Sequence, residues 1–320
     1  MYRSCNSFAH LHICTSAHNL YLASMKLAAI DIGSNAARLL ISEASPKSNG
    51  EMDFIKVNLV RVPLRLGFDV FSTGAISEQK AAELLNTVKA YKLLLEVYGV
   101  KYLKACATSA MRDASNGPEL MKQVKQDTGI DIQIITGDEE ASFIYENHVA
   151  EHMASTQSYL YIDVGGGSTE LTFFSNNKLV FKTSVNIGTI RLLQRQVTEA
   201  HWQLMKDTLK QQLKGYGPVT AIGSGGNINK IFSLSKRKEG KPLSLETLKD
   251  YYKEFSSFSV EERIHLYNLR EDRADVIVPA LQIYVNVMRW ADATEIYVPK
   301  IGLADGLIQA LYAEISGNLP

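Results

Sequence analysis

The sequence predicts a three-layer α/β protein made of two halves that face each other across a cleft. Three observations carry this expectation. Short apolar runs of the buried-strand kind alternate with amphipathic helical stretches. A strand–Asp-x-Gly–strand device at Asp31–Ile32–Gly33 returns at Asp163–Val164–Gly165, 132 positions further on (163 against 31). The chain of 320 residues is also about two domains' worth by length. Two halves opening with the same turn create a cleft suited to a ligand.

Taken in order, Lys26 to Ile32 (KLAAIDI) reads as a buried strand, and Ala37 to Glu43 (ARLLISE) as a second strand one tight turn later. A third, alternating strand follows around Phe54 to Leu66. Ser77 is placed to start a long helix, because Leu84, Val88, Tyr91, Leu95 and Tyr98 fall on one face and Gly99 stops the run. Next come a strand at Tyr102 to Ala107, a helix from Pro118 to Thr128 and a strand at Ile130 to Ile135. Another helix opens at Asp138–Glu139–Glu140. The opening pattern then returns as Tyr159 to Val164 (YLYIDV) and a hairpin begun by Glu170 to Phe174, with Asn176–Asn177 at its turn. Beyond lie a helix near Thr198 to Lys214, a strand running into a glycine turn (VTAIGSGGNINKI, Val219 to Ile231) and helices through about Arg289. A strand at Glu295 to Val298 and a closing helix from about Asp305 complete the pattern. Trp202 and Trp290 sit in helical patterns as core residues. The expected division is a first domain over 25–145 and a second over 146–302, with a last helix over about 303–320 able to pack back on the first.

Composition narrows the partners. Hydrophobic residues make up 46% and charged residues 21%, as in a folded globular protein. Lys plus Arg and Asp plus Glu each total 34, so there is no basic surplus of the kind that nucleic-acid or anionic-membrane binding demands. Any polyanion is therefore met by a local site, and neither nucleic acid nor membrane is an expected partner. Three cysteines (Cys5, Cys14, Cys106) make no disulfide framework, which fits a reducing compartment and a cytoplasmic location. No stretch approaches the roughly 20 apolar residues of a membrane span. Within the first 24 residues, Cys5, His10, His12 and Cys14 are candidate metal ligands, but their spacing matches no usual zinc pattern. The expectation is an over-long start, with Met25 as the natural first residue.

The glycine turns carry the chemistry. A glycine-rich turn leaving a strand lets several backbone N–H groups converge on one anion, since the backbone can approach closely and take φ > 0. Gly33–Ser34–Asn35 offers amides, a hydroxyl and a carboxamide; Gly165–Gly166–Gly167–Ser168–Thr169 offers more amides and two hydroxyls. Gly223–Ser224–Gly225–Gly226 is a third such turn. An ordinary β-turn explains any one of them alone. The carboxylates beside them, Asp31, Asp163 and Glu170, repel phosphate unless a divalent cation or its waters stand between, and Mg²⁺ is the ion that joins carboxylate to phosphate oxygen. Arg112 follows a strand in Ala107–Thr108–Ser109–Ala110–Met111–Arg112–Asp113–Ala114 and reads either as a guanidinium for phosphate or as a surface ion pair. In Gly137–Asp138–Glu139–Glu140–Ala141 the first two acids suit the helix dipole, whereas Glu140 is deep enough to turn towards a cleft as a base for water. The basic run Lys236–Arg237–Lys238–Glu239–Gly240–Lys241 reads as a solvated loop, or as a guide for a polyanion.

The segments AAIDIGSNAARLLI, ATSAMRDASNG, ITGDEEASFIY, YIDVGGGSTELTFF and AIGSGGNINKI, in this order and spacing, resemble the exopolyphosphatase / guanosine pentaphosphate phosphohydrolase (Ppx/GppA) family. The likeness runs from about Met25 to the C-terminus. It implies the actin-like ATPase superfamily, with two ribonuclease-H-like domains around a cleft. It further implies Mg²⁺-dependent release of terminal phosphate from inorganic polyphosphate or of the 5′ γ-phosphate from guanosine pentaphosphate. By the same resemblance Glu140 is the catalytic base. Asp31, Gly33, Ser34, Asn35 and Arg38 match the first phosphate loop, Asp163, Gly165 and Glu170 the second, and Arg112 a phosphate-contacting arginine. Family members often dimerise, so a homodimer is an expectation of the same kind. Two features depart from the pattern. Ala36 replaces the serine of the usual DIGSNS, removing a hydroxyl, so a modest loss of phosphate affinity is expected. Longer members also carry a further helical C-terminal region, and a chain without one is expected to favour short polyphosphates or a nucleotide. The competing readings are a sugar- or acetate-type kinase of the same superfamily and a non-catalytic sensor of guanosine tetra- or pentaphosphate. Phosphate release with water alone separates hydrolase from both.

Overall fold

The computed structural model describes residues 25–47, 52–145, 157–176 and 178–317. The readings of Cys5, His10, His12 and Cys14 lie outside the described residues, as does Asn177. The first half runs β1 (Met25–Ile32), β2 (Ala37–Pro46), β3 (Met52–Val62), α1 (Leu66–Thr73), α2 (Glu78–Tyr98), β4 (Tyr102–Ala107), α3 (Ser109–Asp113), α4 (Gly117–Thr128), β5 (Gln133–Ile134) and α5 (Gly137–Tyr145). The second begins β6 (Ser158–Val164), β7 (Thr169–Ser175), β8 (Lys178–Val185), α6 (Thr189–Leu193), α7 (Glu199–Gln212), β9 (Val219–Ser224) and α8 (Gly226–Leu234). It continues with β10 (Leu243–Ser244), α9 (Leu245–Ser256), α10 (Val260–Tyr267), α11 (Glu271–Ala274), α12 (Ile277–Trp290), β11 (Glu295–Tyr297) and α13 (Leu303–Ser316).

The two sheets repeat one plan. Sheet one has the order β3-β2-β1-β4-β5, and sheet two has β8-β7-β6-β9-β11 with β10 added at its edge. In each, an antiparallel hairpin pair leads into parallel strands: β1 with β4, then β6 with β9. Both faces of sheet one are covered, which is why β1 reads as a continuous apolar run rather than an alternation. Ala28, Ile30 and Ile32 face α2 with Leu84, Val88 and Tyr91. Leu27 and Ala29 face α13 with Leu307, Ile308 and Leu311. The last helix thus packs on β1, β4 and α5 of the first half. The core of the second half gathers Leu160, Ile162, Leu171 and Phe173 with Tyr284 and Val287 of α12. Trp202 and Trp290 meet edge-to-face at 6.0 Å against that core. Among the described residues no helix is long and apolar enough to cross a membrane.

Local signals account for most boundaries. Ser77 caps α2 by accepting from the Lys80 N–H at 3.3 Å, and Gly99 ends it at φ 65°. Some expectations do not hold. The third strand ends at Val62 rather than Leu66, and Leu66 opens the unforeseen α1. Leu66–Thr73 is short, contains Gly67 and lacks a side-chain cap, so its sequence carries no start signal. Gly67 is there because a Cβ would stand 3.0 Å from both Ser34 Cβ and Ile190 Cδ1. The expected strand from Ile130 to Ile135 shrinks to Gln133–Ile134, and the short helices α3 and α6 were not foreseen.

Where α13 crosses α5, Gly306 lies so close that a Cβ would sit 1.7 Å from the Phe143 carbonyl oxygen. Gly306→Ala should therefore cost about 1–3 kcal/mol, the usual penalty of overpacking, read as a lower urea midpoint at unchanged slope.

Candidate phosphate-binding cleft

The two Asp-x-Gly turns are built alike and touch each other. The Gly33 N–H donates to the Ala36 carbonyl at 3.1 Å, and the Gly165 N–H to the Ser168 carbonyl at 2.9 Å. Register places Asp31 across from Arg38 and Asp163 across from Glu170. A Cβ on Gly166 would stand 2.8 Å from Ser34 Cβ and 3.4 Å from the Asn35 amide nitrogen, so glycine lets the turns meet. Close approach is the whole reason at these turns: none of Gly33, Gly165, Gly166 and Gly167 has a positive φ, and only Gly225, at 101°, uses the freedom that the sequence suggested.

A cavity of about 430 Å³ opens over these turns. Of the residues expected from sequence, Asp31, Gly33, Ser34, Asn35, Arg38, Glu140, Asp163, Gly165, Gly166, Ser168 and Gly225 line it. Others are engaged elsewhere. The Thr169 hydroxyl is fully buried and donates to the Ile187 carbonyl at 2.6 Å, so it serves the fold rather than a phosphate. Gly167 packs against Ser109 and Phe71, and Gly223 against Ile296 and Ile228. The Ser224 hydroxyl is hydrogen-bonded to Asp163, and its carbonyl accepts from Tyr284 Oη at 2.5 Å. Arg112 does not line the cleft either: its Nη1 donates to the Ile135 carbonyl at 2.7 Å, steadying the approach to α5. The sequence missed a cationic wall of Lys56, Arg61, Arg270, Arg273 and Lys300, which long-range folding brings from β3, α11 and the approach to α13. No spacing signal joins these residues. Arg61 Nη2 lies 2.5 Å from Asp272 Oδ2, and Arg65 Nη2 lies 2.5 Å from Asp275 Oδ2, so these pairs also tie the halves together.

The carboxyls are unequally treated. Asp31 is buried but accepts from Arg38 Nη1 at 2.6 Å. Counting 132 positions on from Arg38 gives Glu170, so the second turn carries an acid where the first carries a base. Burial, and then the nearby Asp163, push the Glu170 carboxyl up to about 7, against hydrogen bonds from Ser168 and Ser184. Burial likewise raises Asp163 above the ordinary carboxylate range. The Ser168 hydroxyl is thus engaged with Glu170, and Ala36 is its counterpart in the first turn.

Glu140 reaches the cleft because its neighbours are used at the helix start. Thr136 and Glu139 form a capping box: Glu139 Oε2 accepts from the Thr136 N–H at 2.7 Å, and Thr136 Oγ1 accepts from the Glu139 N–H at 3.2 Å. Asp138 and Glu139 stay exposed, whereas Glu140 is 7% exposed. Burial first, then Glu170, Asp163 and Asp31, drive its carboxyl well above the ordinary range. One oxygen each of Glu140 and Glu170 is buried without a hydrogen-bond partner.

Those orphaned oxygens, and the like charge around them, fit a hard divalent cation. Among the described residues no three His, Cys, Asp or Glu side chains are arranged to hold one by themselves. Water and phosphate oxygens would complete its shell, as Mg²⁺ prefers.

Paired α/β lobes of this topology with glycine turns meeting at their junction have the plan of the actin-like ATPase fold. A profile of the Ppx/GppA phosphatase family matches residues 45–314, and the chain belongs to that family. It is 32% identical over 199 residues to a bifunctional 3-dehydroquinate synthase/phosphatase of Fusobacterium nucleatum, covering 58% of this chain but only 30% of that protein. It is 24% identical to exopolyphosphatase 1 of Mycobacterium tuberculosis, over 92% of this chain and 90% of that one. It is 26% identical to a guanosine-5′-triphosphate,3′-diphosphate pyrophosphatase of Pseudoalteromonas translucida, over 88% of this chain and 57% of that protein. The crystal structure of the Aquifex aeolicus Ppx/GppA family member superposes with a TM-score of 0.71 at 27% identity, covering 93% and 100% of the two chains.

The raised carboxyls carry a stability signature. A group whose folded pKa exceeds its unfolded value stabilises the fold below the unfolded pKa and loses that contribution as pH rises through the folded one. In chelator, the melting temperature should therefore fall by a few degrees between mildly acidic and mildly alkaline pH. Glu170→Gln should flatten that fall, as measured by calorimetry across the range.

Proposed function

We propose that the protein hydrolyses the terminal phosphoanhydride of inorganic polyphosphate, or the 5′ γ-phosphate of guanosine pentaphosphate, with Mg²⁺. The observation that carries this reading is that Glu140, whose carboxyl has one buried oxygen without a hydrogen-bond partner, lines the same cavity as the two facing glycine turns. Named relatives of both substrate types, an exopolyphosphatase and a guanosine pentaphosphate pyrophosphatase, support it. A reducing compartment such as the cytoplasm suits a chain whose one cysteine among the described residues, Cys106, is a buried free thiol.

Phosphoryl transfer asks a protein chiefly for positioning and electrostatics. The amides of Ser34 and Asn35 on one side and of Gly166 on the other offer donors to the non-bridging oxygens of the terminal phosphate, the Gly33 and Gly165 N–H groups being used to close their own turns. Ser34 Oγ, 2.8 Å from Ser109 Oγ, adds a hydroxyl donor held in place by its neighbour. Glu140, with its free oxygen, orients a water for in-line attack and accepts its proton. Burial, and then the neighbouring carboxyls, raise its pKa, which makes the ionised group a stronger proton acceptor than an exposed carboxylate. Asp163 and Glu170 are the residues that would hold Mg²⁺, with Asp31 a weaker candidate because Arg38 already neutralises it. The ion, when bound, would offset charge on the carboxyls and on the departing phosphoryl oxygens.

Glu140→Gln tests the assignment. Turnover measured as phosphate release should fall by about 10²-fold or more, the usual reach of a general base, while equilibrium binding of tripolyphosphate remains. Turnover near the wild-type value would remove Glu140 from this role.

A further inference from the structure

The cleft has a rim of cations as well as a floor of turns. Lys56 and Lys300 both line the cavity and are 42% and 53% exposed. Lys56 is committed at the rim: its ammonium lies 2.6 Å from Asp305 Oδ1 and donates to the Lys300 carbonyl at 3.3 Å. The Lys300 ammonium instead reaches Glu239 Oε1 at 3.3 Å. Glu239 belongs to the run Lys236–Arg237–Lys238–Glu239–Gly240–Lys241, every residue of which is exposed. This contact brings a loop that follows α8 to the edge of the cleft. It also occupies the only acid in the loop. No ion pair among the described residues involves Lys236, Arg237, Lys238 or Lys241. The loop is a built turn, with the Lys241 N–H donating to the Lys238 carbonyl at 3.1 Å and positive φ at Lys236 and Gly240.

We propose that Lys300 and the loop 236–241 form an outer anion-binding track, which takes the distal phosphates of an inorganic polyphosphate whose end lies in the cleft. The inference rests on the hydrolytic reading above. Solvated lysines gain little from a single small anion. A flexible polyanion meets several at once and releases its counterions, so the same residues matter only for a chain long enough to leave the cleft. Chain-length preference then resides in a loop of the second lobe.

The test compares tripolyphosphate with long-chain polyphosphate. In the variant carrying Lys236→Gln, Arg237→Gln and Lys238→Gln, kcat on both substrates and KM for tripolyphosphate should match the wild type. KM for the long chain should rise roughly tenfold, within the range by which local charge alters encounter with a polyanion, and should depend less steeply on salt. Glu239→Gln should move the long-chain KM in the opposite direction. An unchanged long-chain KM in the triple variant, or an equal rise for tripolyphosphate, overturns the proposal. If the wild type releases phosphate from neither substrate, the hydrolytic reading fails and equilibrium binding of long-chain polyphosphate decides: weaker binding by the triple variant upholds the track, and equal binding removes it.

Discussion

Crowding of buried negative charge at and beneath the cleft is the constraint around which the rest of this protein is arranged. Asp31, Glu140 and Glu170 are buried and Asp163 is half-buried, and they come from the ends of β1, α5, β7 and β6. Burial first, and then the neighbouring carboxyls, raise the cost of ionising Glu140 and Glu170, which hold their protons into a pH range where exposed carboxyls have lost theirs. Such an arrangement is unfavourable to an empty fold, and partners that bring positive charge or donors relieve it. A cation placed among these carboxyls would remove repulsion that folding created, whereas a phosphate chain alone would add to it.

The internal repeat is used asymmetrically. The two hairpins share their turn hydrogen bond and their cross-strand register, yet position 38 is arginine and its counterpart at 170 is glutamate. In the first lobe the aspartate has a permanent partner 2.6 Å away. In the second the aspartate faces another acid and has the Ser224 hydroxyl and the more distant Arg38 in place of an ion-paired neighbour. Duplicated geometry supplies two facing turns, and the exchange of one residue leaves the second turn's aspartate opposite an acid instead of a base.

The element that carries Glu140 is held from both lobes. Lys182 of β8 donates to Ser142 Oγ at 2.5 Å and to the Asp138 carbonyl at 3.3 Å, and a Cβ on Gly137 would fall 2.3 Å from Ser184 Cβ. From the other side Gly306 of α13 meets the Phe143 backbone. Ser184 also donates to Glu170 Oε1 at 2.8 Å, so a single strand orients one acid and seats the helix of the other. The contacts of Arg61 and Arg65 with α11 and its end, and of Arg191 with Asp113, join the lobes at other points. Glu140 and the two facing turns, which come from both lobes, keep their relative geometry through such contacts.

Much of this was readable from the chain alone. The alternation of apolar runs and helical faces, the returning Asp-x-Gly device and the capping residues Ser77 and Gly99 act locally, and local signals survive in a linear string. They located both sheets, the long helix α2, the two Asp-x-Gly turns and the inward position of Glu140, whose neighbour Glu139 has an ordinary capping role at the helix start. Resemblance to a family added the reaction class. What the sequence could not determine was how side chains spend their hydrogen bonds. Thr169 and Arg112 look like phosphate ligands in one dimension, but each is tied to a backbone carbonyl. The cationic wall and the approach of loop 236–241 to Lys300 join residues far apart in the chain. Only the packing of whole lobes brings them together, because Coulomb and hydrogen-bond energies depend on distance in space, which sequence separation does not record.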